Sequence, residues 1–539
     1  MTSLFMGTPN FTQAVIGPDL PHRLSLVSTL AELSLPKALG LLIICAWLVS
    51  LAVNAKKLPD APVSGHKSAY EPSWFLQARF HEHAREIVRE AYKKVKDSPF
   101  VLRRWDIDYL VLPIRYLEEI KRVPQSKLSI IGVLTSNLAP EHNEMGFLSW
   151  SLLHIESLKR KLIPELYKFV DMANDEVTRN WKQDFPATDD WEHVRLELAV
   201  RNVISRASSR IFIGSPACRS QQWVSDQVSF TGDFYLTSIW IKMFPDWMSP
   251  VMTWLTPAKY RARAALRRSR AVIAKLMKDH ESVKEKRAQG IEVEEEDTLL
   301  HWMLDHAQPN ERGEGQMAAR LGFLSFVSLF TTTLTTSHII YDLCEYPEWF
   351  DVIRGEVDAI AQDLGPPGAN PNVSTREWVN RLEKIDSLMI ESQRMSPLLV
   401  VSPQRLGTED IVLKDGLRIP AGTRFTFASS EHHLDPNIFD SPERFDPLRS
   451  YNRRLSAPDR RDQHRAGMTG ADNLAFGHGL QACPGRRFAV AQVKMLIARL
   501  LYDFEFKLEE GQVRSKIAYS NETAYSNEQQ TILIRKRRT

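Results

Sequence analysis

Cys483 stands in the run Phe476-Gly-His-Gly-Leu-Gln-Ala-Cys-Pro-Gly-Arg-Arg, and its surroundings set the chemistry it can do. A sulfur just ahead of a helix start meets unpaired N–H groups and the positive end of the helix dipole, which favour a thiolate. Pro484 suits the first helical position, where a missing N–H costs nothing. Gly485 lets the backbone approach the sulfur so that amides point at it, Gly477 and Gly479 permit a tight turn, and Phe476 is placed to keep water away. A thiolate so framed reads as the ligand of a haem iron, pushing electron density toward O–O cleavage. Taken alone, a cysteine on a helix is more often a plain core residue.

Two upstream motifs weigh against that plain reading. Glu391 and Arg394 stand one helical turn apart, within contact range on one face. The pair is weak by itself, because a chain rich in both residue types contains such spacings by chance. Pro442-Glu443-Arg444-Phe445 is less accidental. Arg444 can reach back to Glu391, so that one carboxylate is shared by two guanidinium groups in a buried structural lock.

The ordered set Glu391-x-x-Arg394, Pro442-Glu443-Arg444-Phe445 and Phe476-x-x-Gly479-x-x-x-Cys483-x-Gly485 resembles the cytochrome P-450 superfamily. Phrases such as Leu112-Pro113, Leu162-Ile163-Pro164 and His433-Leu434-Asp435-Pro436 resemble its fungal secondary-metabolism branch. The resemblance implies a mainly α fold with a small β region, a triangular prism that holds haem b between a long central helix and the helix after Cys483. It also implies electrons from NADPH delivered by a membrane-bound reductase, with cytochrome b5 as an accessory partner. No glycine-rich dinucleotide fingerprint or flavin module follows the cysteine motif.

The chain of 539 residues has no long Gly/Ser-rich or Pro-rich linker, so one large catalytic domain is the simpler organisation. A net charge of +3 gives no electrostatic support for nucleic-acid binding. Four cysteines, one of them in an apolar segment, argue against a disulfide framework. Residues 38–55 carry no charge and sit at the short end of what crosses a bilayer. Lys56 and Lys57 favour the cytosolic side, and Pro59 and Pro62 stop the helix. The expected organisation is a lumenal segment 1–37, a transmembrane helix 38–55, a proline-containing hinge 56–65 and a catalytic domain 66–539. A cleaved signal peptide is the rival reading, but no convincing cleavage site is present. In the endoplasmic reticulum membrane this single-pass topology makes Asn10 a lumenal glycosylation acceptor and leaves Asn372 and Asn521 cytosolic and bare.

Residues 317–345 read as a long helix, apolar on all sides and therefore central. Its middle, Thr331-Thr332-Thr333-Leu334-Thr335-Thr336, is poor in helix propensity. Hydroxyls there bond carbonyls one turn back, or open a groove for oxygen and water; a threonine packing face is the plain alternative. By resemblance Thr331 assists proton delivery, with an acid usual just before it. Phe330 stands there instead, so delivery falls to Thr331 or Thr332 with ordered water, or to a hydroxyl of the substrate. Gln481 replaces a basic residue that the family uses toward a haem propionate. Arg405, His432 and Lys159 with Arg160 are the candidate substitutes, although each is more often a solvated charge.

The aromatic-rich stretch 230–254 is either core or, by resemblance, the roof of the active site, and with Phe330 and Leu398-Leu-Val-Val401 it predicts an apolar pocket. Arg486, Arg487 and Lys494 offer positive charge to an acidic reductase. The main functional expectation is a membrane-anchored haem-thiolate monooxygenase of a lipophilic terpenoid, indole diterpene or prenylated alkaloid. The alternatives are a haem-thiolate desaturase or isomerase of a pre-oxygenated substrate, and a non-catalytic haem-binding membrane protein.

Overall fold

A computed structural model describes residues 61–539 apart from 69, 186–187, 245–247, 369, 371–372, 516, 526–527 and 539. The expected lumenal segment, the membrane helix 38–55, Asn10 and Asn372 therefore lie outside the described residues. The described chain is mostly helical. Its helices include α1 (Ser73–Val95), α2 (Leu153–Ser157), α3 (Leu166–Asp184), α4 (Leu196–Ile213), α5 (Gln221–Lys242), α6 (Pro257–Ala288), α7 (Leu299–His306), α8 (Glu314–Glu345), α9 (Glu383–Met395) and α10 (Arg486–Asp503).

The central helix α8 holds its β-branched run in helical form because burial outweighs propensity. Between Met317 and Leu343 nearly every residue is buried, and Thr331 is the single exposed one. Pro347 follows its C-cap Tyr346 and prevents continuation. Among the described residues this is the helix long and apolar enough to cross a membrane, but most of its length is enclosed by other helices. Its C-terminal half packs with α3, α4, α9 and α10 into the main hydrophobic core. Its N-terminal half meets α5 and α6 through Phe230, Phe234, Leu266, Phe323 and Phe326. Gly322 permits that approach, since a Cβ there would stand 3.0 Å from the Phe230 ring and 3.2 Å from Leu266.

The largest sheet has five short strands, β1 (Phe100–Arg103), β2 (Asp108–Val111), β3 (Leu128–Ser129), β4 (Arg405–Gly407) and β5 (Arg424–Thr426), in the order β1-β2-β5-β4-β3. Only the β2/β5 pair is parallel. Register Arg405↔Phe425 places the start of β4 beside the cysteine loop, which Arg405 reaches by side chain. Residues 62–64 of the expected hinge are clipped to this sheet, with the Val101 amide donating to the Pro62 carbonyl at 2.9 Å and the Ser64 amide to Val101 at 2.9 Å.

Candidate active site

The loop before α10 is closed by two main-chain bonds, Cys483 N–H to the Phe476 carbonyl at 2.9 Å and Ala482 N–H to that of Gly479 at 3.1 Å. Gly477 and Gly479 have φ of 71° and 75°, values a side chain resists, and a Cβ on Gly479 would also press Lys121 at 3.2 Å. Phe476 is half-buried against the main core. Helix α10 begins at Arg486 with Gly485 as N-cap, so Pro484 precedes the helix instead of opening it. The amides of Gly485 and Arg486 do bond the sulfur. Burial nevertheless outweighs them and the Arg486 charge, and the thiol pKa is raised, not lowered. Gly485 has ordinary φ, and a Cβ there would meet no protein atom within 4 Å. Its glycine is therefore not demanded by chain packing. Cys483 is exposed as a residue, while its thiol sits in surroundings that desolvate it.

Behind this loop lies the lock. Arg394 donates to both oxygens of Glu391, at 2.9 and 2.7 Å, and the pair is almost fully buried. The second arginine is not Arg444 but Arg449, whose Nε lies 3.3 Å from Glu391. The reason is the direction of the main chain at 442–445. Phe445 turns inward to stack on Tyr346 at 4.9 Å, which sends the Arg444 side chain into solvent. The Arg444 carbonyl instead accepts from Arg394 and Arg449 at 3.3 and 3.1 Å. Arg449 stands past the four-residue motif, and its spacing alone carried no signal.

On the central helix the Thr331 hydroxyl donates to the Val327 carbonyl one turn back at 2.9 Å. Thr331 is exposed and Val327, Ser328 and Phe330 are half-buried, so they form a notch in an otherwise closed helix; Thr332 is buried on another face. Beside the notch runs a cleft of about 1010 Å³. One wall is apolar, with Tyr235, Ile239, Leu329, Phe330 and Leu334, and Tyr235 lies 5.3 Å from Phe330 ring to ring. The other wall carries Glu82, Arg85, Arg89 and Arg514, which corrects the expectation of a wholly apolar pocket. The 230–254 stretch divides between its two readings: Phe230 and Phe234 are core, whereas Tyr235 faces the cleft.

Residues 159–533 match the model of the Cytochrome P450 family. The chain belongs to that family. It is 34% identical to Cytochrome P450 monooxygenase sdnB of Sordaria araneosa, across 89% of this chain and 88% of the relative. It is also 34% identical to Cytochrome P450 monooxygenase ATR4 of Stachybotrys chlorohalonatus, across 97% and 99%, and 28% identical to Ent-kaurene oxidase P450-4 of Gibberella fujikuroi, across 91% and 96%. The protein is thus an oxygen-incorporating oxidoreductase of the fungal P450 branch, with the mainly α P450 fold and haem b as its cofactor. P450 enzymes draw electrons from a redox partner, NADPH acting through a reductase, and act on small molecules.

The residues of this P450 fit the haem. Arg405 is buried, and among the described residues its guanidinium bonds only carbonyl oxygens, those of Gln404, His478 and Gln481 at 2.7, 3.0 and 3.4 Å. Burial without a carboxylate partner pushes its pKa down to about 10, so it suits an anionic group brought by a cofactor. Gln481 points its amide away, to the Leu128 carbonyl at 2.8 Å. The other two propionate candidates are not brought to Arg405. Burial, aided by the Lys96 charge, lowers the His432 pKa against the opposing pull of Asp435, the Ala471 main chain and Asp472, and Lys159 is exposed on the segment after α2. Lys494 is no surface charge for a partner, because it is buried against Asp386 at 3.3 Å; Arg487 is the exposed cation of that helix start.

Proposed function

We propose that this P450 is a membrane-anchored monooxygenase that inserts one oxygen atom into a lipophilic secondary metabolite, a terpenoid, indole diterpene or prenylated alkaloid. The balance is substrate, O2, NADPH and a proton giving hydroxylated product, NADP+ and water. Haem b, held by the Cys483 thiolate and paired by Arg405, supplies the oxygen activation. The observation that carries the reading is the lone exposed Thr331, its hydroxyl anchored on Val327 beside an aromatic-walled cleft. Thr331 Oγ1 accepts a proton from water and passes one on, while its bond to Val327 fixes its direction. Phe330 and Tyr235 present apolar faces that exclude water from the substrate's reacting carbon. Glu391, Arg394 and Arg449 hold the cysteine-side scaffold.

A relative that bears the name ent-kaurene oxidase supports a terpenoid substrate. Exposed apolar residues support contact of the catalytic domain with lipid. Trp74 and Phe75 stack at 3.7 Å at the start of α1, soon after the apolar segment 38–55, and Leu236, Trp240, Val251, Trp254 and Leu255 are also exposed. The exposed Arg487 offers charge to an acidic reductase, and raised salt should slow its reduction of the haem. One feature favours desaturation or rearrangement as the second reading: Phe330 cannot relay a proton where the family uses an acid. Co-expression with a fungal reductase, lipophilic extracts and isotope-labelled O2 separates the two. One labelled oxygen in the product supports insertion, whereas a new product without label supports the second reading.

A further inference from the structure

Where α6 ends and the chain turns back into α7, two histidines and a glutamate converge. His280 lies on the last turns of α6, Glu295 on the extended stretch after Gly290, and His301 in the first turn of α7. The Thr298 hydroxyl accepts the His301 amide at 3.2 Å and sets the start of that helix. The donor atoms of the three side chains lie within 4.8 Å of one another. His280 Nδ1 is 2.9 Å and His301 Nε2 is 3.5 Å from the same oxygen, Glu295 Oε1. These separations bracket the edge of a tetrahedron built on metal bonds of about 2.1 Å, which is about 3.4 Å.

The outward nitrogens decide which atoms are free. His301 Nδ1 is 2.9 Å from the Glu296 carbonyl, and a carbonyl can only accept, so Nδ1 carries the proton and Nε2 turns its lone pair toward Glu295. His280 Nε2 is 3.3 Å from Asp305 Oδ1, which also accepts from Lys284 at 2.7 Å. His280 Nδ1 lies 2.9 and 3.0 Å from the two Glu295 oxygens, closer than Nε2 lies to Asp305, so the neutral ring keeps its proton on Nδ1 and bridges to Glu295. A cation that takes the place of this proton finds the carboxylate and both imidazoles already gathered, with Nε2 then donating to Asp305. Arg287 approaches only the far oxygen of Glu295, at 3.7 Å. One ring backed by a carboxylate and the other by a main-chain carbonyl is also how metal-binding histidines are oriented.

We propose that His280, Glu295 and His301 bind one divalent cation of the zinc class, with a fourth position open to solvent. Two imidazoles and one carboxylate suit Zn2+ better than Mg2+ or Ca2+, which prefer oxygen ligands throughout. The two rings are stacked 4.5 Å apart and 6° from parallel, so both must tilt toward Glu295 to direct their in-plane lone pairs at one ion. The ion clips the end of α6 to the start of α7. Because α6 packs on α5, whose Tyr235 and Ile239 wall the cleft, the clip steadies the roof without touching the haem.

The test uses the untagged, haem-loaded full chain, freed of metal with a chelator and titrated with Zn2+ alone by calorimetry. Bound metal is counted by mass spectrometry and melting is followed in parallel. Glu295→Gln and His301→Gln change partly exposed ligands and spare the buried His280, and His306→Gln changes an exposed histidine as control. One Zn2+ per chain is expected, bound at least about tenfold more weakly in both ligand variants and unchanged in the control. A rise in Tm of a few degrees should disappear in the same two variants, with the haem spectrum constant throughout. Equal affinity in the parent and both ligand variants, or a melt that responds to acid and not to Zn2+, would overturn the site and leave a proton-bridged cluster.

Discussion

On the cysteine side, Glu391 takes bonds from Arg394 at 2.9 and 2.7 Å, from the Asp446 amide at 2.9 Å and from Arg449 at 3.3 Å. On the oxygen side, the buried hydroxyls of Thr333, Thr336 and Ser337 have no hydrogen-bond partner among the described residues, and Thr331 is bonded yet exposed. Both regions are rich in polar groups inside a core, where an unpaired group is costly. A fully satisfied cluster fixes one geometry, as a metal ligand needs. Unspent hydroxyls leave room for water and for a substrate that differs between enzymes.

Replacements on the two sides should therefore fail differently. The largest effect is expected from Cys483→Ser, which removes the thiolate. Turnover should fall to background and the carbon-monoxide difference spectrum should lose its thiolate band; a retained band would place the ligand elsewhere. Next, Glu391→Gln leaves two guanidinium groups unneutralised in the core and should cost about 3–5 kcal/mol in chemical denaturation. Arg444→Ala should stay within about 0.5 kcal/mol, and a comparable loss there would restore Arg444 to the lock. Arg405→Met should weaken haem binding by about 1–3 kcal/mol while leaving the haem-free protein no less stable, because a buried charge is removed. A parallel loss in both forms would make Arg405 merely structural.

On the oxygen side, Thr331→Ala should leave folding and haem content intact but raise the hydrogen peroxide released per NADPH consumed by several-fold. Unchanged coupling would move the proton path to Thr332 or to the substrate. The smallest effect concerns pH. Burial works against ionised Asp435, but bonds from Lys96, the Asn437 amides and Tyr92 outweigh it and hold its pKa at about 2. A carboxyl depressed on folding stabilises the protein above its unfolded value of about 4, and that contribution, about 2 kcal/mol, is lost as pH falls toward 2. Asp435→Asn should flatten acid unfolding in that window; an unaltered acid limb would mean the ties of α1 to this region carry no weight.

How much of this was legible in the sequence follows from how local each feature is. The extent of α8 was readable because a core helix shows an unbroken apolar run. The turn at Gly477 and Gly479 was readable because only certain residues tolerate its backbone. Arg449 was not, since the arginine that closes the lock is chosen by the direction in which Phe445 turns the main chain. The burial that raises the thiol pKa was not readable, because a helix terminus is visible in sequence while the desolvation opposing it is not. The charged wall of the cleft also escaped notice, because Arg85 and Arg514 come from opposite ends of the chain.

The lock holds residues 440–444 by their carbonyl oxygens alone. Arg394 takes those of Pro442 and Arg444, and Arg449 takes those of Asp440, Ser441 and Arg444, while the side chains of Asp440, Ser441, Glu443 and Arg444 project outward. A strand of chain gripped in this way is specified by its path and not by its lettering. Substitutions at 440, 443 and 444 should drift freely among descendants of this gene, and Ser441, at φ 46°, should drift toward asparagine or glycine. The constancy needed to keep a cysteine in place is written into two distant arginines, and the stretch they hold is free to vary.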